Sequence, residues 1–471
     1  MISKINFKLV NKVALLVVVS ITLQSCFVAK EYKRPKLEET EHLYRTDNLP
    51  QDSLSVADIS WKDMFTDSHL KQYIEEGLQN NLDIRVAIQQ MAAAEAYMKQ
   101  GKAGYFPSFS LNPQVSHQEL SRNSQFGSFF NGGITQYSVN GNLSWEADIW
   151  GKIHSNKRAG EAGYLQSVAA HQAVKTQLVS AIASTYYQLL SLDAQLKVTN
   201  QTIVTRENSV ETIKSLKESG QVTQVAVDQY IAQYNNAKAL KVDLEVAIFK
   251  TENVLNLLLG RTSITVERGE LDEQQFTTEI TLGVPANLLR NRPDVMAAEY
   301  GLVNAFEMTN VARSNFYPSL TLTATGGFQS LEFDQLFNTN SLFANLVGGL
   351  TQPVFNQRKI KTQYEVAKAQ QEQALLNFKK SLLVAGNEVS NALFSYQSET
   401  KKIEYRQEEV EALRQAESNS EILLNNGYAN YLDLLTARYS ALNAELNVID
   451  SKLQQLLSVV NLYEALGGGW K

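Results

Sequence analysis

Leu143-Ser-Trp-Glu-Ala-Asp-Ile-Trp-Gly-Lys-Ile153 has a counterpart 207 residues later, Leu350-Thr-Gln-Pro-Val-Phe-Asn-Gln-Arg-Lys-Ile360. Each stretch closes an alternating apolar–polar run and opens a long proline-free segment. The same offset relates Gly220 to Gly427, and Leu259-Gly260 to Leu466-Gly467. Upstream, an offset of 211 relates Asp83 to Asp294 and Phe106-Pro107-Ser108 to Tyr317-Pro318-Ser319. Landmarks repeated in the same order mark an internal duplication. Each half reads helix, strand pair, long helix, tight turn, helix.

Working outward, Ile153 to Ser219 contains no proline and only two glycines, Gly160 and Gly163. Arg358 to Asn426 contains no proline and one glycine, Gly386. At 1.5 Å per residue such segments make helices of roughly 100 Å. Each ends at a glycine-bearing turn, Ser219-Gly-Gln-Val-Thr223 or Asn426-Gly-Tyr-Ala-Asn430, and a second helix returns. In the first return helix Val227, Tyr230, Tyr234, Ala237, Leu244, Ile248, Leu255 and Leu258 keep a 3-4 spacing, with Lys241 and Thr251 as exceptions. The stripe suits a coiled coil or a bundle core, and the unusual length favours the coiled coil.

Toward the other side, Tyr137, Val139, Leu143 and Trp145 alternate with Ser138, Asn140, Asn142, Ser144 and Glu146. Leu320, Leu322 and Ala324 alternate with threonines. Period two indicates strands with one apolar face. They are expected near 107–117, 134–147, 317–329 and 342–353. Four strands cannot close a barrel alone, since small barrels need about eight. The pattern leaves two arrangements open: a small sheet packed on the helices, or a twelve-stranded barrel shared by three copies.

The chain starts with an export signal. Lys4, Lys8 and Lys12 precede the apolar run Val13–Leu23, which is too short to span a bilayer. Leu23-Gln-Ser-Cys26 follows, shaped like a bacterial lipobox and holding the only cysteine. An ordinary signal peptide with a chance cysteine is the alternative. With residues 1–25 removed, no run of 18 apolar residues remains. A lipid-anchored chain without a spanning helix is peripheral or part of a β-barrel.

Composition narrows the function. The 43 basic residues against 49 acidic ones give −6, which argues against nucleic-acid binding. One cysteine excludes an internal disulfide framework and a multi-cysteine metal site. The histidines are scattered, and there is neither a phosphate-binding glycine loop nor a nucleophile elbow. No enzyme, metal site or cofactor is expected beyond a covalent lipid on Cys26.

Several motifs carry a resemblance. Trp61-Lys-Asp-Met-Phe65 with Asn81-Leu-Asp83, Trp145-Glu-Ala-Asp148-Ile-Trp150-Gly151-Lys152, Leu289-Arg-Asn-Arg292-Pro293-Asp294-Val295 and Gln352-Pro-Val-Phe355 stand in family order. Together they resemble the TolC-type outer-membrane efflux factors, in the NodT- or OprM-like lipoprotein branch. The resemblance covers about residues 26–471. It implies an α+β membrane protein: a homotrimer with a twelve-stranded outer-membrane β-barrel, four strands per protomer, continued by a periplasmic α-helical coiled-coil barrel. The implied organisation is a signal peptide at 1–25, a lipidated extension at 26–62, and two efflux repeats at 63–270 and 271–471. The implied function is export of small molecules through the trimeric duct. Its partners would be a periplasmic adaptor, an inner-membrane pump and outer-membrane lipid. A coiled-coil adaptor or a structural lipoprotein without a pore is the competing assignment.

The resemblance also assigns residues. Gly220, Val222, Thr223, Gly427, Tyr428, Ala429 and Asn430 form the adaptor-docking tip. Asp433, with Tyr431 and Leu432, is the pore or gate candidate. Asp433 equally suits the first turn of a helix, where the dipole favours an acid. Arg292 and Asp294 suit a structural role at a helix start. Two departures stand out. Asn356-Gln357-Arg358 replaces the usual glycine-bearing turn, and Ala226 and Ala429 occupy positions where some members place an acid–arginine latch.

Overall fold

A computed structural model describes residues 28–35, 60–125, 127, 133–274 and 292–470. The signal segment, Cys26 and Leu289 to Asn291 lie outside the described residues. Three helices open the described chain: α1 (Trp61–Met64), α2 (Ser68–Asn80) and α3 (Leu82–Ala103). Strands β1 (Ser108–Gln118) and β2 (Ile134–Ala147) follow, then helices α4 (Lys152–Glu218) and α5 (Gln224–Leu258). The second half gives α6 (Pro293–Ser314), β3 (Ser319–Ser330), β4 (Leu342–Thr351), α7 (Lys359–Asn425) and α8 (Tyr431–Ala465).

The duplication reaches the element lengths. Helices α4 and α7 both have 67 residues. Helices α5 and α8 both have 35, and α3 and α6 both have 22. The expected strands are present with ends shifted by one or two residues. The clearest shift is at Gln352-Pro353, which falls outside β4. Proline has no N–H to give a ladder.

The chain divides into two units. The first comprises Met1–Lys36, Ala92–Gln166 and Ala298–Asn377 and contains the sheet. The order is β1-β2-β3-β4, every neighbouring pair antiparallel. Within this unit α3 and α4 approach closely: a Cβ on Gly160 would stand 3.3 Å from Met98 Cα.

The second unit comprises Leu37–Met91, Ser167–Ala297 and Phe378–Lys471. Its core is built from α1, α2, α4, α5, α7 and α8. Phe65, Leu70, Ile74, Ile182, Leu255 and Val460 are fully buried there. Each such side chain contributes about 1.5–3 kcal/mol by leaving water. The coiled-coil stripe is buried in α5 at Val227, Tyr230, Ala237, Leu244, Ile248 and Leu255. One polar group of this unit is fully engaged. Asp67 caps α2 through the His69 and Leu70 N–H groups, and its other oxygen accepts from the Tyr186 hydroxyl at 2.8 Å and from Gln274 at 2.9 Å. Burial alone would raise the Asp67 carboxyl, but these four bonds outweigh it and hold its pKa below the usual range.

Candidate functional site

Cross-strand register sorts the sheet into two faces. On one face β1 supplies Phe109, Leu111, Pro113 and Val115, opposite Leu143, Gly141, Val139 and Tyr137 of β2. The same face continues through Leu322, Ala324, Gly326 and Phe328 of β3 to Leu346, Ala344 and Leu342 of β4. The other face carries Ser110, Asn112, Gln114, Asn140, Asn142, Ser144, Thr321, Thr323 and Thr325. Ile134 of β2 and Phe343 and Val347 of β4 interrupt its polarity. Up to the loop-end residues His117, Thr135 and Ser330 the first face is apolar, and it is exposed: Phe109, Leu111, Val115 and Leu346 are each more than 60% accessible. Exposed apolar surface of this extent marks an interaction surface.

Aromatic residues stand at both ends of the apolar band. At the helix-bearing end are Tyr105, Phe106, Trp145, Trp150, Phe316 and Tyr317. The Trp150 indole donates to the Pro318 carbonyl at 2.7 Å and lies 5.0 Å from the Tyr317 ring. At the loop end Tyr137 meets Phe333 at 5.4 Å and Phe328 meets Phe337 at 5.7 Å. Aromatic rings bounding an apolar band are the pattern of a membrane-embedded strand set. Strands of 10–14 residues have the length to cross a hydrocarbon core. No helix among the described residues is long and apolar enough to do so. Among the described residues, strands β1 and β4 each pair on one side only.

The motif leading from β2 into α4 explains itself in the first unit. Asp148 accepts from the Ile153 and His154 N–H groups at 2.9 and 2.8 Å, and Lys152 reaches Glu146 at 3.0 Å. The duplicate position of Asp148 is Phe355, so α7 starts without this cap. The matching turn nevertheless keeps its backbone form. Gly151 has φ 73°, and its counterpart Arg358 has φ 65°, with Gln357 at 55°.

At the tips, Gly220 and Gly427 have φ 73° and 75°. Gly220 N–H bonds to Lys217 O and Gln221 N–H to Leu216 O, while Gly427 and Tyr428 repeat this with Leu424 and Leu423. These are Schellman endings, which need the left-handed conformation that glycine takes without steric cost. Tyr428 is 83% exposed. Val222 and Tyr431 pack on a cluster of Val210, Ile213, Ala226, Val227 and Tyr230. Thr223 precedes α5 without a side-chain cap bond. Asn430 caps α8 in a full capping box, with Asp433 Oδ2 accepting from the Asn430 N–H at 3.2 Å. Asp433 therefore serves the helix start, and it is also exposed, as is Leu432. Ala226 is buried and Ala429 half-buried, so neither supplies an ionic latch.

An ionic cluster lies elsewhere. Arg438 of α8, 12% exposed, pairs with Glu417 at 3.2 Å and Glu421 at 3.0 Å on α7, and donates to Ser209 Oγ on α4. The sequence reading missed it. The only available signal was the i,i+4 spacing of Glu417 and Glu421, which puts both on one helix face.

Arg292 has the structural place expected. It grips both oxygens of Asp294 at 3.0 and 2.7 Å, Glu388 at 2.7 Å, and the Ala465 carbonyl at the end of α8 at 2.9 Å. A cation at a helix C-terminus is stabilised by the helix dipole. Among the described residues no cluster of His, Cys, Asp and Glu fits a metal ion.

Comparison with known proteins agrees over nearly the whole chain. The model of the family described as outer membrane efflux protein matches residues 73–261 and 284–468. A probable efflux pump outer membrane protein of Pseudomonas putida, TtgC, is 30% identical over 88% of this chain and 86% of its own. A probable outer membrane lipoprotein of Salmonella typhimurium, SilC, is 26% identical over 94% and 95%. Among solved structures, the open state of the MtrE outer membrane channel of Neisseria gonorrhoeae superposes with a TM-score of 0.82. It is 25% identical and covers 95% of this chain and 99% of its own.

Proposed function

The chain belongs to the outer membrane efflux protein family and is an outer-membrane efflux channel; from that premise we propose how its parts conduct. Three copies join β4 of one to β1 of the next and close twelve strands around a lumen. The apolar face turns to lipid and the Ser/Asn/Thr face to water. The observation that carries this is the division of four paired strands into a mainly apolar and a mainly polar face, with both outer edges unpaired among the described residues. An unpaired edge of ten or more residues is a standing template for another strand.

Each repeat, 63–270 and 271–471, supplies one strand pair and one helical hairpin of this duct. The hairpins form the periplasmic part and work by conduction, without chemistry of their own. Tip residues Gly220, Val222, Thr223, Gly427, Tyr428, Ala429 and Asn430 dock a periplasmic adaptor, which couples the duct to an inner-membrane pump. The exposure of Tyr428 supports this role. Leu432 and Asp433 of three copies form the constriction and its acidic ring, and Tyr431 acts as a buttress behind them. A ring of negative charges around an axis favours cations. A covalent lipid on Cys26 adds a second attachment to the outer membrane.

Purified protein should run as a heat-modifiable trimer and give single-channel conductance in planar bilayers. Asp433→Asn should lower cation selectivity and leave the trimer intact. A monomer without conductance would overturn the reading.

A further inference from the structure

In the sheet-bearing unit, a short piece of chain just after Cys26 lies along α6. Residues 28–35 carry no secondary structure of their own, yet they are held at three levels. Lys30 meets Asn310, Tyr32 packs edge-on against Phe306 at 5.6 Å, and Arg34 bonds to Glu299 at 2.9 Å.

The contact at Lys30 is the telling one. Asn310 is 1% exposed. Its Oδ1 accepts from the Lys30 N–H at 3.2 Å, and its Nδ2 donates to the Lys30 carbonyl at 2.9 Å. The carboxamide thus pairs with both main-chain groups of one residue, as a neighbouring strand would. Its remaining capacity is also filled, by Arg313 on Oδ1 and by Glu307 on Nδ2, each at 3.2 Å. Glu307, 2% exposed, is held in turn by Arg158 of α4 at 2.9 Å. A buried carboxamide and carboxylate are expensive to leave unpaired. This network is complete only when the backbone at Lys30 is docked.

The direction of the segment gives the network its purpose. From Arg34 to Lys30 its partners move from Glu299 to Asn310, so the segment runs antiparallel to α6. Going back toward Cys26, the chain heads for the C-terminal end of α6, which leads into β3. From Lys30 to Cys26 it reaches about 14 Å at most. From Asn310 to the last residue of α6 is about 6 Å of helical rise. Beyond lie Phe316 and Tyr317, at the aromatic border of the sheet's helix-bearing end.

We propose that the Glu307–Asn310 turn of α6 is the docking site for the strap that follows the lipid-bearing cysteine, and that it sets the lipid at the level of the helix–sheet junction. The proposal rests on the lipidation of Cys26 put forward above. Acyl chains attached there enter the membrane leaflet on the helix side, beside the strands. The anchor is then a fixed point of the channel, not a flexible leash. Asn310 and Glu307 are its positioning residues.

The test uses the full-length chain in outer-membrane fractions. With Cys26 acylated, Lys33→Cys supplies the only free thiol, on an exposed strap residue outside the network. A nitroxide there should be slow in the otherwise unchanged chain. Adding Asn310→Leu should raise its mobile fraction several-fold while the heat-modifiable trimer persists. A nitroxide at Val28→Cys should collide with a headgroup-bound relaxing agent, and Asn310→Leu should abolish this. Should Asn310→Leu fail to assemble, Asn310→Asp keeps the acceptor and loses both donors, and Glu299→Gln weakens only the ion pair at the far end of the strap. Each should loosen the label. A label at position 33 equally mobile with and without these changes overturns the docking. Labelling of the chain without an added cysteine shows a free Cys26 and overturns the lipid reading alone. The strap label then still decides whether the segment docks, as it does in Cys26→Ser.

Discussion

Arg358 shows what a residue does when a duplicated backbone outlives its glycine. Its counterpart Gly151 sits in the left-handed region, and Arg358 does the same at φ 65°. A side chain there costs about 1–2 kcal/mol. Its ion pair with Glu365 at 3.0 Å is well exposed on both sides and returns less than about 0.5 kcal/mol. Arg358→Gly adds freedom to the unfolded chain, which offsets roughly 0.4–1 kcal/mol of the relief. The net expectation is a small gain, about 0.5 kcal/mol. It should appear as a higher midpoint of urea unfolding, and a lower midpoint would show that the turn depends on the arginine. The sequence exposed the missing glycine but not the outcome. Nothing in Asn356-Gln-Arg announces a positive φ, because only the flanking elements impose it. Asp433 is the converse case. Its place three residues after Asn430 already carried the capping-box spacing. In the folded chain its carboxylate reaches back to the Asn430 N–H.

Elements were far more legible than contacts. The long helices followed from the absence of proline and the strands from period-two alternation, both local properties of the chain. The Arg438 cluster joins residues 17 to 229 positions apart on three helices, and no local pattern encodes such a meeting. Its energy belongs to the helical arm. Arg438→Leu leaves Glu417 nearly buried, although Arg414 still reaches it at 2.7 Å. Breaking a fully buried pair costs about 3–5 kcal/mol, so about 2 kcal/mol is expected here. Amide exchange in residues 205–215 and 431–440 should then quicken by roughly 30-fold. Unchanged exchange would show that the arm does not rely on this tie. In the sheet, Gly327 faces the β2 backbone, and a Cβ would stand 2.1 Å from Val139 O. Gly348 of β4 has nothing within 4 Å. Gly327→Ala should push β2 and β3 apart and reduce trimer yield sharply, whereas Gly348→Ala should assemble normally. Equal yields would mean that the strands separate without penalty.

For the whole molecule the deciding question is which face of the sheet meets lipid. The sequence left a soluble sheet and a shared barrel open, since four alternating strands satisfy either one. A soluble sheet buries its apolar face on helices. Here that face is exposed, bounded by aromatic residues at both ends, and flanked by unpaired edges. Leu346 and Asn345 are neighbours near the middle of β4, pairing with Ala324 on the apolar face and Thr325 on the polar one. They differ only in the face they occupy. An arginine on a lipid-facing strand position near the bilayer midplane costs about 2–4 kcal/mol, while lumen positions tolerate charge and tune conduction. Three copies apply that cost three times in one barrel. Leu346→Arg should therefore nearly eliminate the heat-modifiable trimer from outer-membrane fractions. Asn345→Arg should assemble at ordinary yield and shift single-channel conductance and ion selectivity toward anions. If the two substitutions exchanged these effects, the apolar face would point into the assembly, and the three-copy barrel with water on its serine and threonine side would be excluded.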